Sequence, residues 1–233
     1  MKFVFLLISM LIYINSAASE AINHIEFYNQ QANQVFKHTQ PQSMAIGYEA
    51  GNNTPYQTWD GVIAGRSLYL ELHDNKITLI HGQKKTSRRL KQAYRFPSEP
   101  VSKLDFRGTE LYVREGEGAD EPLICLESLP AEINRSSPRR SVFLLKNPFR
   151  NAQLYQLPAL HASCRGVFHA KTGEFVIPAW KELTSHEETG YLIGFYRLAP
   201  RGFSPTGNEV RAKKVEGQED LFRFEIPATP TSN

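Results

Sequence analysis

The chain has 233 residues, with 27 Lys and Arg against 24 Asp and Glu, a formal charge of +3. Hydrophobic residues at 41%, with 15 Gly and 14 Pro, exclude a collagen-like, coiled-coil or wholly disordered chain. The length suffices for one large or two small domains with a substantial core, and so small a net charge gives no reason to expect nucleic acid.

At the N-terminus, Lys2 precedes an apolar run from Phe3 to Ile14, and Asn15-Ser16-Ala17-Ala18-Ser19 follows. A positive start, a short apolar stretch and a small-residue site are the pattern of a secretory signal peptide, residues 1–18. The run is too short to cross a hydrocarbon core of about 30 Å as a helix. No second run approaches membrane length. The expectation is an exported protein, periplasmic or secreted, with no transmembrane span once the signal is removed.

Residues 20–38, within an N-terminal segment 19–41, carry a helical pattern. Asn23 can cap and Glu26 stands three positions on, the spacing of a capping box. Ile25, Tyr28, Ala32 and Val35-Phe36 recur near helical spacing, and Pro41 ends the segment.

A β-rich region is expected over 42–227. Its clearest part is Ser67 to His81, where Leu68, Leu70 and Leu72 alternate with Tyr69, Glu71 and His73. A two-residue turn at Asp74-Asn75 sets Leu72 opposite Ile77 and Leu70 opposite Leu79, which makes a hairpin with one buried face. The stretch Tyr48 to Trp59 places Tyr56 and Trp59 around Gln57 and Thr58. That composition suits a sugar-contacting loop, but also aromatics flanking a strand in the core.

Lys84, Lys85, Arg88, Arg89, Lys91 and Arg95 then put six cations into twelve residues with no acid. Such a run reads as a solvated connection between hairpins, or as the contact for an anionic partner: an acidic protein, a polysaccharide or lipid head groups. Arg139 and Arg140 add a second pair of cations. A second hairpin is expected over 102–114, with a four-residue loop matching Phe106 with Leu111 and Leu104 with Val113. Residues 110–132 are acidic apart from Arg114, and 134–150 are basic. Pro130, Ser136, Ser137 and Pro138 mark a loop between them.

Cys125 and Cys164 are the only cysteines. An even count in an exported chain favours a disulfide. Two sharper readings compete. His161, Cys164 and His169 supply three potential metal ligands but match no four-ligand zinc pattern, so no metal or other cofactor is expected. Alternatively, Cys164 could act as a nucleophile with His161 or His169 as its base.

A third hairpin covers 166–178. Lys171-Thr172-Gly173 has the form of a three-residue loop with Gly at the left-handed position, pairing Phe168 with Val176. A short helix is expected near 179–188, with Pro178 in its first turn and Gly190 beyond its end. Further strands are expected at 43–49, 59–65, 122–127, 141–146, 152–157, 190–199, 208–215 and 220–226, where β-branched and aromatic residues concentrate. Residues 228–233 read as a flexible tail.

The resulting fold class is mainly β: an antiparallel sandwich or barrel-like domain with an N-terminal helix and one short helix. No Gly-x-Ser-x-Gly elbow, Ser-x-x-Lys pair, zinc-protease helix or Gly-rich phosphate loop is present. The expectation is an exported binding or interaction protein for an anionic partner, using 84–95 with Arg139 and Arg140. Two alternatives stay open: an envelope hydrolase or transferase built on Cys164, and a structural subunit of an envelope assembly.

Overall fold

Two segments of the chain, Leu123–Leu126 and Val142–Leu145, are apolar without alternation, so both faces of their strands must be covered. The computed structural model satisfies this by stacking three antiparallel sheets. It describes residues 21–31, 33–96, 98–105, 108–116, 122–128, 139–184, 189–215 and 222–227. The expected signal peptide, the 130–138 loop and the tail lie outside the described residues.

The strands are β1 (Gln42–Ser43), β2 (Ala45–Tyr48), β3 (Pro55–Ile63), β4 (Arg66–His73), β5 (Lys76–His81), β6 (Lys84–Arg89), β7 (Thr109–Arg114), β8 (Leu123–Ser128), β9 (Ser141–Lys146), β10 (Gln153–Gln156), β11 (Phe168–His169), β12 (Phe175–Thr184), β13 (Thr189–Ala199), β14 (Gly202–Lys214) and β15 (Phe224–Glu225). The first sheet has the order β2-β3-β4-β5-β6, the middle sheet β1-β7-β8-β9-β10 and the last sheet β11-β12-β13-β14-β15.

Alternation along the middle sheet divides its side chains between two cores. Leu111, Ile124, Leu126, Phe143, Leu145 and Leu154 pack against Trp59, Ile63, Leu68, Leu70, Leu72, Ile77 and Leu79 of the first sheet. Tyr112, Leu123, Cys125, Val142, Leu144 and Tyr155 pack on the opposite side with Phe175, Ile177 and Leu198 of the last sheet. A third cluster joins Phe27 and Tyr28 to Trp180, Tyr191, Ile193 and Phe224.

The hairpin at 67–81 forms in the expected register, Leu72 opposite Ile77 and Leu70 opposite Leu79. Its turn residues Asp74 and Asn75 are both left-handed, with φ of 51° and 55°, as a two-residue hairpin turn requires. The three-residue loop at 171–173 also forms. Phe168 faces Val176, and Gly173 sits at φ 79°.

Three expected elements differ. The N-terminal helix, α1, spans only His24–Asn29. Its capping box is present: the Asn23 side chain accepts from the Ile25 and Glu26 amides, and Glu26 accepts from the Asn23 amide. Beyond it the chain leaves the helix for a series of turns, tied down where Gln34 bridges to Phe168 and the Val35 amide donates to the Val167 carbonyl. This segment covers the edge of the last sheet.

The expected helix near 179–188 is instead the second half of β12 as far as Thr184, paired with β13 from Thr184–Thr189 back to Val176–Arg197. Strand β11 is only two residues long, so β12 is an edge beyond Val176. There the missing N–H of Pro178 costs no ladder bond on that side.

The expected hairpin at 102–114 does not form either. Strand β7 pairs with β8 and β1, while the chain from 101 to 105 runs without a strand partner. Its amides are served by side chains instead: Ser102 donates to Gln156 Oε1 and Asp105 to Ser128 Oγ.

Candidate anion-binding cleft

The basic run is not a loop. Lys84–Arg89 forms β6, the outer strand of the first sheet, and Leu90–Gln92 follows as a single 3-10 turn. An outer strand presents unpaired backbone groups, and charged side chains along it oppose edge-to-edge pairing with another chain. That accounts for part of the run without any ligand.

Register sorts the cations. Arg88 lies opposite Ile77 and turns towards the middle sheet, where its Nε donates to the Ala152 carbonyl at 2.9 Å. Arg95 donates to the Lys91 carbonyl at 3.4 Å. Lys84 and Lys85 are exposed at the far end of the strand. Arg89 lies directly opposite Lys76 of β5, on the same face of the sheet.

Arg89 and Lys91 line a cleft of about 470 Å³ together with Lys76, Lys103, Asp74, Asn75, Val101 and Ser102. Its walls are tied down. The Leu90 amide donates to the Asn75 carbonyl at 2.7 Å, and buried Leu90 anchors the 3-10 turn in the core. On the other side, buried Gln156 accepts from the Ser102 amide at 3.0 Å and donates to the Pro100 carbonyl at 2.7 Å and to Ser102 Oγ at 3.1 Å. Among the described residues no carboxylate pairs with Lys76, Arg89, Lys91 or Lys103. The cleft therefore holds four cations against the single carboxylate of Asp74. A smaller cleft of about 360 Å³ adjoins it, lined in part by Arg88, Arg89, Gln92 and Tyr94.

Lys76 and Lys103 carry no sequence signal of their own, since each is a lone cation outside the run. Strand register brings the first to Arg89, and the Gln156 clamp brings the second.

Arg139 and Arg140 line neither this cleft nor the smaller one beside it. Arg140 instead serves the core. Its Nη1 lies 2.5 Å from Oε1 of Glu127, a carboxylate only 4% exposed, whose other oxygen accepts from Ser163 Oγ and the Cys164 amide. A buried carboxylate needs such partners, and Arg140 is committed to it.

The cysteines form the expected disulfide, Cys125–Cys164, with Cα atoms 5.8 Å apart, so Cys164 has no thiol to act as nucleophile or metal ligand. Among the described residues no group of three or more His, Cys, Asp or Glu could hold a metal. His169 packs on Phe175, with ring centroids 4.7 Å apart. His161 is fully buried in a ring of aromatics and lies 4.8 Å from His24, centroid to centroid. Among the described residues neither of these two imidazoles has a hydrogen-bond partner. Burial, together with the nearby Arg140 charge, lowers His24 to about 4 and His161 to about 3, and His24 itself contributes to lowering His161. Both rings are neutral packing groups at physiological pH.

The Tyr56–Trp59 stretch is part of β3, where Trp59 is buried and its Nε1 donates to Gln42 Oε1 at 2.6 Å. No helix among the described residues is long and apolar enough to cross a membrane. No family model, curated protein or solved structure matches the chain.

Proposed function

We propose that this is an exported binding protein for an anionic partner, engaged through the cleft between β5, β6 and the 101–103 segment and along the exposed β6 edge. The observation that supports this reading is the convergence of Lys76, Arg89, Lys91 and Lys103 on one cleft, with no carboxylate partner among the described residues. Four like charges held together by a braced frame repel one another, and an anion relieves that repulsion. The Cys125–Cys164 bridge suits an oxidising compartment, in keeping with the signal-peptide pattern of residues 1–18.

The test is retention on a sulfated-polysaccharide resin. A variant with Lys84→Ser, Lys85→Ser and Arg89→Ser should elute at clearly lower salt than a control carrying Lys181→Ser, Lys213→Ser and Lys214→Ser. The two have the same net charge, and the control's lysines are exposed on the last sheet. Equal elution would mean that only total charge matters, and the reading would fail.

A further inference from the structure

Resting on that reading, one detail of the cleft points to the kind of anion. Lys76 and Arg89 are not loosely neighbouring surface cations. The β5–β6 register sets them directly opposite each other on one face, where Cβ atoms stand about 5 Å apart. Like charges in that position weaken a strand pair. The two other cations come from separate elements, Lys91 from the 3-10 turn and Lys103 from the Gln156-clamped segment. Positive groups thus reach one space from several directions, which suits a compact charge with oxygens pointing several ways.

Asp74 narrows the choice further. It stands in the cleft wall on the left-handed β4–β5 turn. A carboxylate there repels a second negative group beside the first, so the cleft itself seats one anionic group of a ligand at a time, whatever lies along the β6 edge. It accepts hydrogen bonds from hydroxyls, and Ser102 and Asn75 beside it can do likewise. The volume leaves room for a carrier beside the charged group.

We infer that the cleft binds a single tetrahedral oxoanion esterified to a hydroxyl-bearing carrier, a sugar phosphate or sugar sulfate. Lys76, Arg89, Lys91 and Lys103 take the oxoanion, and Asp74 takes the carrier's hydroxyls.

The experiment is calorimetric titration of the full chain with glucose 6-phosphate, glucose 6-sulfate, inorganic phosphate, citrate and glucose. Saturable binding is expected for at least one ester, stronger than for citrate or inorganic phosphate, and none for glucose. If phosphate is the preferred group, affinity falls below pH 6 as the ester gains a proton, while sulfate binding does not change. Lys76→Gln with Lys103→Gln should weaken ester binding at least tenfold. Asp74→Ala, which removes the acceptor, should bring ester and inorganic phosphate to similar affinity.

Absence of saturable binding to both esters overturns the inference, as does citrate binding at least as tightly, or a Lys76→Gln/Lys103→Gln variant with unchanged affinity. Lys76 and Lys103 lie outside the three positions changed in the resin test. Loss of ester binding with β6-dependent retention intact sinks this inference alone, whereas ester binding with β6-independent retention sinks the broader reading alone.

Discussion

His161 has no exposed surface and a left-handed backbone with φ of 53°, and among the described residues neither of its ring nitrogens finds a hydrogen-bond partner. Its neighbour His24 opens α1, so the pair joins the start of that helix to the 157–163 segment. Tyr28 reinforces the joint by donating to the His161 carbonyl at 2.7 Å while accepting from Trp180 Nε1 at 2.8 Å. Both imidazoles have folded-state pKa values well below the ordinary value of 6.5. Below 6.5 the unfolded chain therefore binds protons that the folded chain refuses. Their contribution to stability is complete above about pH 6.5 and is lost as pH falls towards 4 and 3. The slope can reach about 1.4 kcal/mol per pH unit for each histidine. Urea midpoints measured from pH 7 to 4 should fall steeply, and His24→Phe should flatten the curve by about one proton. An equal slope in that variant would assign the acid sensitivity to other groups.

Among the elements, β3 shows how tightly the first and middle sheets are joined. The Trp59 ring lies over Gly61, two residues along the same face, and a Cβ at Gly61 would come within 2.2 Å of it. Trp59 also reaches β1 through Gln42. Gly61→Ala must push the indole out of its place, a crowding that costs about 1–3 kcal/mol in a packed core. A Cβ at Gly51, a loop glycine, would meet no neighbour among the described residues, and its cost would come only from the φ of 96°. Chemical denaturation should show Gly61→Ala losing stability in that range, and an unchanged midpoint would mean that the Trp59 ring moves freely.

Element type was legible wherever one face was buried and the other wet. Leu68, Leu70 and Leu72 alternate with polar partners, and their register follows from the sequence. The misread elements share a cause: local chemistry was answered by distant residues. Pro178 and Gly190 look like helix punctuation, but β13 offers eleven residues to pair with. Leu104 is buried as its apolar character demands, yet Gln156 and Ser128 satisfy the backbone around it, and no hairpin is needed.

For the whole molecule, the stacking order explains the disulfide. Cys125 projects from the middle sheet into the core shared with the last sheet, and Cys164 meets it from the 3-10 turn at 164–166. The bridge spans a sequence separation of 39 residues, and closing a loop of that size in the unfolded chain is worth roughly 4 kcal/mol. Cys125→Ala with Cys164→Ala should lower the unfolding free energy by an amount of that order, read from urea titration without reductant. A change below about 1 kcal/mol would mean that the unfolded chain is already held compact by other contacts.

The sequence by itself determined the β class, the hairpins at 67–81 and 166–178 and the capping box at Asn23, and it favoured the pairing of its only two cysteines, because each follows from local periodicity or from having a single possible partner. It also located the basic run. Only the tertiary structure decided which of those charges share a cleft. Arg140 is drawn to a buried carboxylate, Arg88 is tied to a backbone carbonyl, and Lys76 and Lys103 come to Arg89 from other parts of the chain. Strand register and stacking bring together residues that no local pattern connects, and the electrostatics of a cleft depend on that juxtaposition.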